Sequence, residues 1–280
     1  MLETATPQWT RESSWRQGHV LTREAAQHFG LSNTVDGANT CVVVISHDCD
    51  LANDNLDVEP FVEVIVGRVV SSANGNFTWG KAPRTLHYPA RCANAPVVIE
   101  LVNTSKCSIK KSLLAQFNPD SSFMIDGKGL AVLRSWLASR YNRAAFPDAF
   151  VNRMRDTKVD NKLAKVLQDH GELISFVYFD LDAGQNVERK EADPYRLSIV
   201  LVFNSGEDAE TAAHSADAVA DAVERALHAR LQGSKNLILT SCFPISEDDL
   251  RVSQARILSQ WRLEYMTQKA DDAQLGPPDI

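Results

Sequence analysis

The stretch VVVISHDCDLAND, residues Val42 to Asp54, decides how the chain is read. Its first half is an unbroken β-branched run, which suits a strand covered on both faces rather than one with a wet side. Its second half packs His47, Asp48, Cys49 and Asp50 together where that strand must end. Two readings fit. In the first, these four residues form a catalytic cluster. Cys49 and His47 lie two apart, so an extended backbone would point both to one face, and an imidazolium neighbour activates a thiol. Asp48 and Asp50 work against a thiolate and suit a proton relay or a metal better. In the second reading, Asp48 and Asp50 cap a turn and Cys49 is buried.

Working outward, HVLT, PFVEVIVGRVV, RTLHYPA and PVVIELVN are further strand candidates, bounded by turn formers such as Ala-Asn-Gly-Asn. Several short strands at this spacing predict a small barrel or a strongly curled sheet over residues 15–120. From Gly129 the period turns helical: Leu130, Leu133, Trp136, Leu137 and Tyr141 recur at three and four. Pro147 must interrupt that pattern. It restarts at Asp148, and a further helix, NKLAKVLQDHG, ends at Gly171. Residues 121–171 therefore read as a basic helical connector. Residues 172–267 read as an α+β domain. LISFVYFD and YRLSIVLVF are strands, and a long helix carries Ala212, Ala216, Val219, Val223, Ala226 and Leu227 on one stripe, closed by Gly233. NLILTS is another strand, while residues 247–266 fit a helix and a strand equally. Residues 1–14 and 268–280 have the composition of flexible tails. The fold class expected is α+β.

The 280 residues are 44% hydrophobic and 23% charged, ordinary for a globular chain. No run approaches a membrane span, and the polar start MLETATPQW carries no signal-peptide core. Five unevenly spaced cysteines do not make a disulfide framework, which predicts a reducing cytoplasm. The net charge of -7 is unevenly spread: Lys81 to Lys165 holds 15 Lys/Arg against 6 Asp/Glu, leaving 14 against 30 elsewhere. A basic middle permits a local phosphate-binding face, or else simply faces the acidic segments.

The order of elements in the first hundred residues resembles the PemK/MazF-type toxin barrel, an SH3-like fold. RQGHVL stands where that family has its first strand, VVVISHDCDLAND where it has an apolar strand and polar loop, and PVVIELVNTSKCSIKKSLL where a late strand enters a basic stretch. The resemblance covers little more than a third of the chain. It implies a metal-free endoribonuclease acting on single-stranded RNA. The chain departs from the family in two places: Asn39, Thr40 and Cys41 stand where Arg-Pro is usual, and Gly67 and Arg68 stand where a hydroxyl-bearing residue falls. The family's catalytic pair is therefore not carried over, and Arg68 is the nearby basic candidate.

His47, Cys49, His87, Cys92 and Cys107 are zinc-type ligands without zinc-type spacing, so no metal or other cofactor is assigned. Arg140 and Arg143 sit one helical turn apart near Trp136, Tyr141 and Phe146, with Arg153 beyond Pro147, a composition suited to phosphate contact and base stacking. The core-plus-ion-pair explanation of those residues is equally open. Asp180 and Asp182 end a strand and read best as a hairpin loop. P-loop, dinucleotide, zincin and hydrolase-elbow motifs are absent from the sequence.

The leading expectation is a prokaryotic toxin- or defence-type protein that binds RNA or another phosphate-bearing ligand. In that reading His47, Asp48, Cys49 and Asp50 would be catalytic, and Arg68, Arg140 and Arg143 would contact phosphates. One alternative is a non-catalytic interaction or sensor module whose acidic C-terminal part docks a protein. Another is a cysteine-dependent hydrolase or transferase using Cys49.

Overall fold

In a computed structural model, which describes residues 8–139, 141, 146–255 and 257–262, the run Val42–Val44 lies inside strand β1 (Thr40–Val44) at no more than 1% exposure. Val42 and Val44 enter one core with Trp15, Leu51 and Val64, while Cys41 and Val43 enter another with Leu86, Tyr88 and Trp136. A strand buried on both faces has no position for a polar side chain, and the β-branched run supplies none.

The chain divides into two units. Within the described residues the first comprises 8–73 and 84–137. It holds β1, β2 (Phe61–Val70), β3 (Thr85–Cys92), β4 (Ala95–Lys110) and β5 (Phe123–Met124), with helices α1 (Arg23–His28), α2 (Asp48–Ala52), α3 (Lys111–Leu114) and most of α4 (Gly127–Ser139). The five strands form one antiparallel sheet in the order β1-β2-β4-β3-β5. The sheet curls because β4 is overlong. Ile65 pairs with Lys106 and Gly67 with Leu101, so two steps along β2 match five along β4. The extra residues reverse the parity of β4: Ile99 and Leu101 face the core on the α4 side, and Ile109 faces the core on the Trp15 side. Bulges bend strands and increase twist, and here the result is half of a barrel. Gly67 sits at the bend because a Cβ there would fall 2.4 Å from the Glu100 carbonyl oxygen. HVLT contributes only single bridges, Val20 to Val43 and Leu21 to Pro119, before Thr22 caps α1.

The second unit comprises 74–83 and the described residues from 138 onward. It contains α5 (Asp148–Thr157), α6 (Val159–Leu167), β6 (Ile174–Leu181), β7 (Tyr195–Phe203), α7 (Ala209–Leu231), β8 (Leu237–Ser246), α8 (Val252–Ala255) and β9 (Ser259–Gln260). Its sheet runs β8-β7-β6-β9. β6 and β7 are antiparallel, whereas β7 and β8 are parallel. Parallel neighbours need a long crossover, and α7 provides it, burying Ala216, Val219, Ala220, Val223 and Leu227. In the described part of 247–266, which excludes 256 and 263–266, both expected forms occur, α8 followed by β9. β9 leads to Trp261, which stacks on Phe179 at 4.6 Å between ring centres.

Residues 74–83 are held to the start of β6 by backbone contact and by one lysine. A Cβ on Gly171 would lie 2.0 Å from the Cα of Gly75, so neither chain tolerates a side chain there. Lys81 is 1% exposed. Its Nζ donates to the carbonyls of Gly171 at 3.1 Å and Ile174 at 2.5 Å. Burial lowers its pKa to about 7, opposed in part by the charge of Glu172. Among the described residues no helix is long and apolar enough to cross a membrane.

Candidate functional site

His47, Asp48, Cys49 and Asp50 do not continue the strand. The backbone turns at His47 (φ −67°, ψ 151°), which is the N-cap of α2, and its Nδ1 accepts the Cys49 amide at 3.2 Å. The cap is therefore a histidine, where the turn reading expected the aspartates, and the Cys49 thiol is exposed rather than buried. Asp48 works at longer range. Its Oδ1 accepts the Gln17 amide at 2.8 Å, the Gln17 side chain donates to the Ile45 carbonyl at 2.8 Å, and Arg134 Nε donates to Gln17 Oε1 at 2.6 Å. The Arg134 guanidinium also stands 3.9 Å from Asp48 Oδ2. Asp50 contributes its carbonyl, which accepts Lys111 Nζ at 2.6 Å, beside that of Asn53 at 2.9 Å. Lys111 is fully buried, its ammonium 5.7 Å from the centre of the Trp9 ring, and burial lowers its pKa. The carboxylate of Asp48, the imidazole of His47 and the carbonyl of Asp50 thus all serve to fix the strand end.

Arg68 lies elsewhere, on the curled sheet. The register places Thr40 on β1 opposite Arg68 on β2, Arg68 opposite Glu100 on β4, and Glu100 opposite His87 on β3. Arg68 Nε meets Glu100 Oε1 at 2.7 Å, and His87 Nε2 meets Oε2 at 3.1 Å. The hydrogen bond from His87 and then the Arg68 guanidinium hold the Glu100 carboxyl below its ordinary pKa, against the opposing effect of burial. The side chain of Arg68 is 27% exposed, against 18% for Glu100 and 6% for His87, so Arg68 is the charged member of the row that solvent reaches best. Glu100 was not singled out from the sequence. The available signal was a lone charge in the middle of an apolar strand, VVIELV, matched by Arg68 in IVGRVV and His87 in TLHYPA.

Where the row reaches β1 it adjoins a cleft of about 440 Å³, whose lining includes Thr40, Cys41 and Val42 of the sheet edge. Leu21, Ala26, Leu31 and Phe123 supply apolar wall, and Arg23, Gln27 and Asp120 supply polar groups. Arg23 Nη2 donates to the Ala38 carbonyl at 3.2 Å, in the turn whose Asp36 carboxylate feels the Arg68 charge. Cys41 follows Thr40 at the start of β1; burial, helped by Asp120 and Cys92, pushes its thiol up to about 12. None of residues 47–50 lines this cleft.

Arg140 and Arg143 lie outside the described residues. Arg153 donates to the carbonyls of Asp193, Asn236 and Lys190 at 2.6, 2.8 and 2.7 Å and stacks over Tyr195. Trp136 is core, Phe146 packs on Trp261, and Tyr141 is exposed. Asp180 and Asp182 close the β6–β7 hairpin by accepting the Gly184 amide and pairing with Arg189. Among the described residues no group of three or more His, Cys, Asp or Glu is gathered as for a metal ion, so the five zinc-type residues are not brought together. Comparison of the chain with family models, with curated proteins and with solved structures gave no match.

Proposed function

We propose that the first unit binds RNA or another phosphate-bearing ligand beside β1, as expected of a toxin- or defence-type protein with an SH3-like barrel. The observation that carries this reading is the pairing of a cleft of ligand size with two guanidinium groups around one turn. Arg23 lines the cleft and contacts the 36–40 turn, and Arg68 stands across from Thr40 at the other side of it. Guanidinium groups suit phosphate because they present several N–H donors in a fixed plane. Glu100 holds the Arg68 side chain in place, so little rotamer entropy remains to be lost on contact. This reading assigns binding to the unit and leaves residues 47–50 a structural part, in contrast with the expectation from sequence.

The test is fluorescence anisotropy of a labelled single-stranded RNA titrated with the full chain at several salt concentrations. Binding should weaken with salt, and Arg23→Ala and Arg68→Ala should each lower the log–log salt slope by about one. An unchanged slope in both variants would overturn the reading.

A second reading, a non-catalytic module that docks a protein, is favoured by how much of the basic segment serves its own chain. Lys81 and Lys111 are buried on carbonyls, Arg134 is taken by Gln17 and Asp48, and Arg153 by three carbonyls. Under this reading RNA binding is weak and insensitive to both arginine variants.

A further inference from the structure

We propose that the cleft beside β1 is a mononucleotide pocket that takes a base bearing an exocyclic amine, with Asp120 reading the base and Arg23 meeting the phosphate. The inference rests on the phosphate-ligand reading and names the chemical class that fits its cleft.

Size comes first. A cleft of about 440 Å³ falls in the range of small-molecule sites and holds one nucleotide rather than a folded partner. The lining is of two kinds. Leu21, Leu31, Val42 and Phe123 give apolar surface for the faces of a flat ring, since every base offers a π-face to such walls. Polar groups converge on it from separate segments: Arg23 and Gln27 from α1, Thr40 from β1, and Asp120 from the loop before β5.

Charge then sets orientation. Asp120 and Arg23 are the charged residues of the lining, one of each sign. Asp120 Oδ1 is engaged by the Ser122 amide at 2.9 Å and the Ser122 hydroxyl at 2.6 Å, which fixes the carboxylate at the cleft wall. An ionised carboxylate accepts hydrogen bonds and does not donate them. It therefore favours the amino groups of cytosine, adenine or guanine. Uracil has a single N–H flanked by two carbonyl oxygens, which would face the carboxylate. Arg23 is exposed and holds the Ala38 carbonyl through Nη2, so its planar head is anchored with other N–H groups available to a phosphate.

Isothermal titration of the full chain with CMP, AMP, GMP, UMP, cytidine and inorganic phosphate tests this. The expected result is saturable binding of at least one amino-bearing mononucleotide, with UMP about tenfold weaker or worse. Arg23→Ala should weaken the mononucleotide about tenfold and leave the nucleoside unchanged. Asp120→Asn keeps the Oδ1 contact to Ser122 and should erase the discrimination against UMP. Leu31→Trp should fill the cleft and abolish binding, with thermal melts confirming that each variant is folded. If no mononucleotide saturates at millimolar concentration, or if Asp120→Asn and Leu31→Trp both bind as before, the pocket assignment is wrong. Failure here with RNA binding that still depends on Arg68 would sink the pocket and spare the wider reading. Asp120-dependent nucleotide binding without RNA binding would uphold both, the phosphate-bearing ligand then being a mononucleotide and not RNA.

Discussion

Lys81 shows how far a single side chain carries consequences. Its pKa of about 7 in the fold lies below the ordinary 10.5 that it regains on unfolding. Between those values the unfolded chain binds a proton that the folded chain lacks, so stability rises with pH across that window. The slope contributed is about 1.4 kcal/mol per pH unit at its steepest. Urea unfolding from pH 6 to 9.5 should show this rise in the native chain and its loss in Lys81→Met; equal slopes in the two would contradict the buried amine. Tyr88 makes a converse case. Its hydroxyl is buried and has no hydrogen-bond partner among the described residues, and burial pushes its pKa up. Removing an unpaired buried hydroxyl frees the chain of a desolvation penalty, so Tyr88→Phe should hold or raise stability by about 1 kcal/mol. A melting point lowered by several degrees would show that the hydroxyl has a partner. The cysteines separate in the same way. Cys49 is exposed, whereas burial pushes Cys41 and Cys242 up to about 12. Iodoacetamide at pH 8, read by mass spectrometry, should label Cys49 well before either of them.

Among the elements, β1 was the most legible in the sequence, because a β-branched run without alternation leaves little freedom of assignment. The stripe of α4 was legible for the same kind of reason: Leu133 and Trp136 are buried at helical spacing. α1 was missed, since its six residues, REAAQH, are too few to show a period, and its signal was the cap Thr22. The overlong β4 was also missed beyond its first half. Register shifts depend on the partner strand, and nothing in the residues 102–105 announces one. That bend has a testable anchor. A Cβ at Gly67 would meet the Glu100 carbonyl oxygen at 2.4 Å, with no flexible side chain to yield, so Gly67→Ala should destabilise the first unit by about 1–3 kcal/mol. Chemical denaturation would check it, and a variant as stable as the native chain would mean that β2 and β4 part easily there. The charged row across β2, β4 and β3 was half legible: Arg68 and His87 stood out singly, but only pairing brings Glu100 between them.

For the whole molecule, the densest cluster of reactive side chains, residues 47–50, lies outside the lining of the cleft beside β1. The sequence drew attention to residues 47–50 because reactive types stand side by side. The fold uses their imidazole, carboxylate and carbonyl to tie a strand end to Gln17, Arg134 and Lys111. Adjacency along the chain says little about what converges in space, and the cleft beside β1 is assembled from segments as far apart as Arg23 and Asp120. The basic middle of the sequence is likewise spread over both units, with several of its charges satisfied internally. What the account asks of the molecule is that two arginines around one turn hold phosphate. The direct measurement is the anisotropy titration of labelled single-stranded RNA with the native chain and with the Arg23→Ala, Arg68→Ala double variant, at matched salt and with both proteins shown to be folded. The account predicts salt-sensitive binding by the native chain and a loss of about a hundredfold or more in the double variant, roughly a factor of ten for each arginine. Superimposable curves for the two proteins, or no binding by the native chain at low salt, would contradict it.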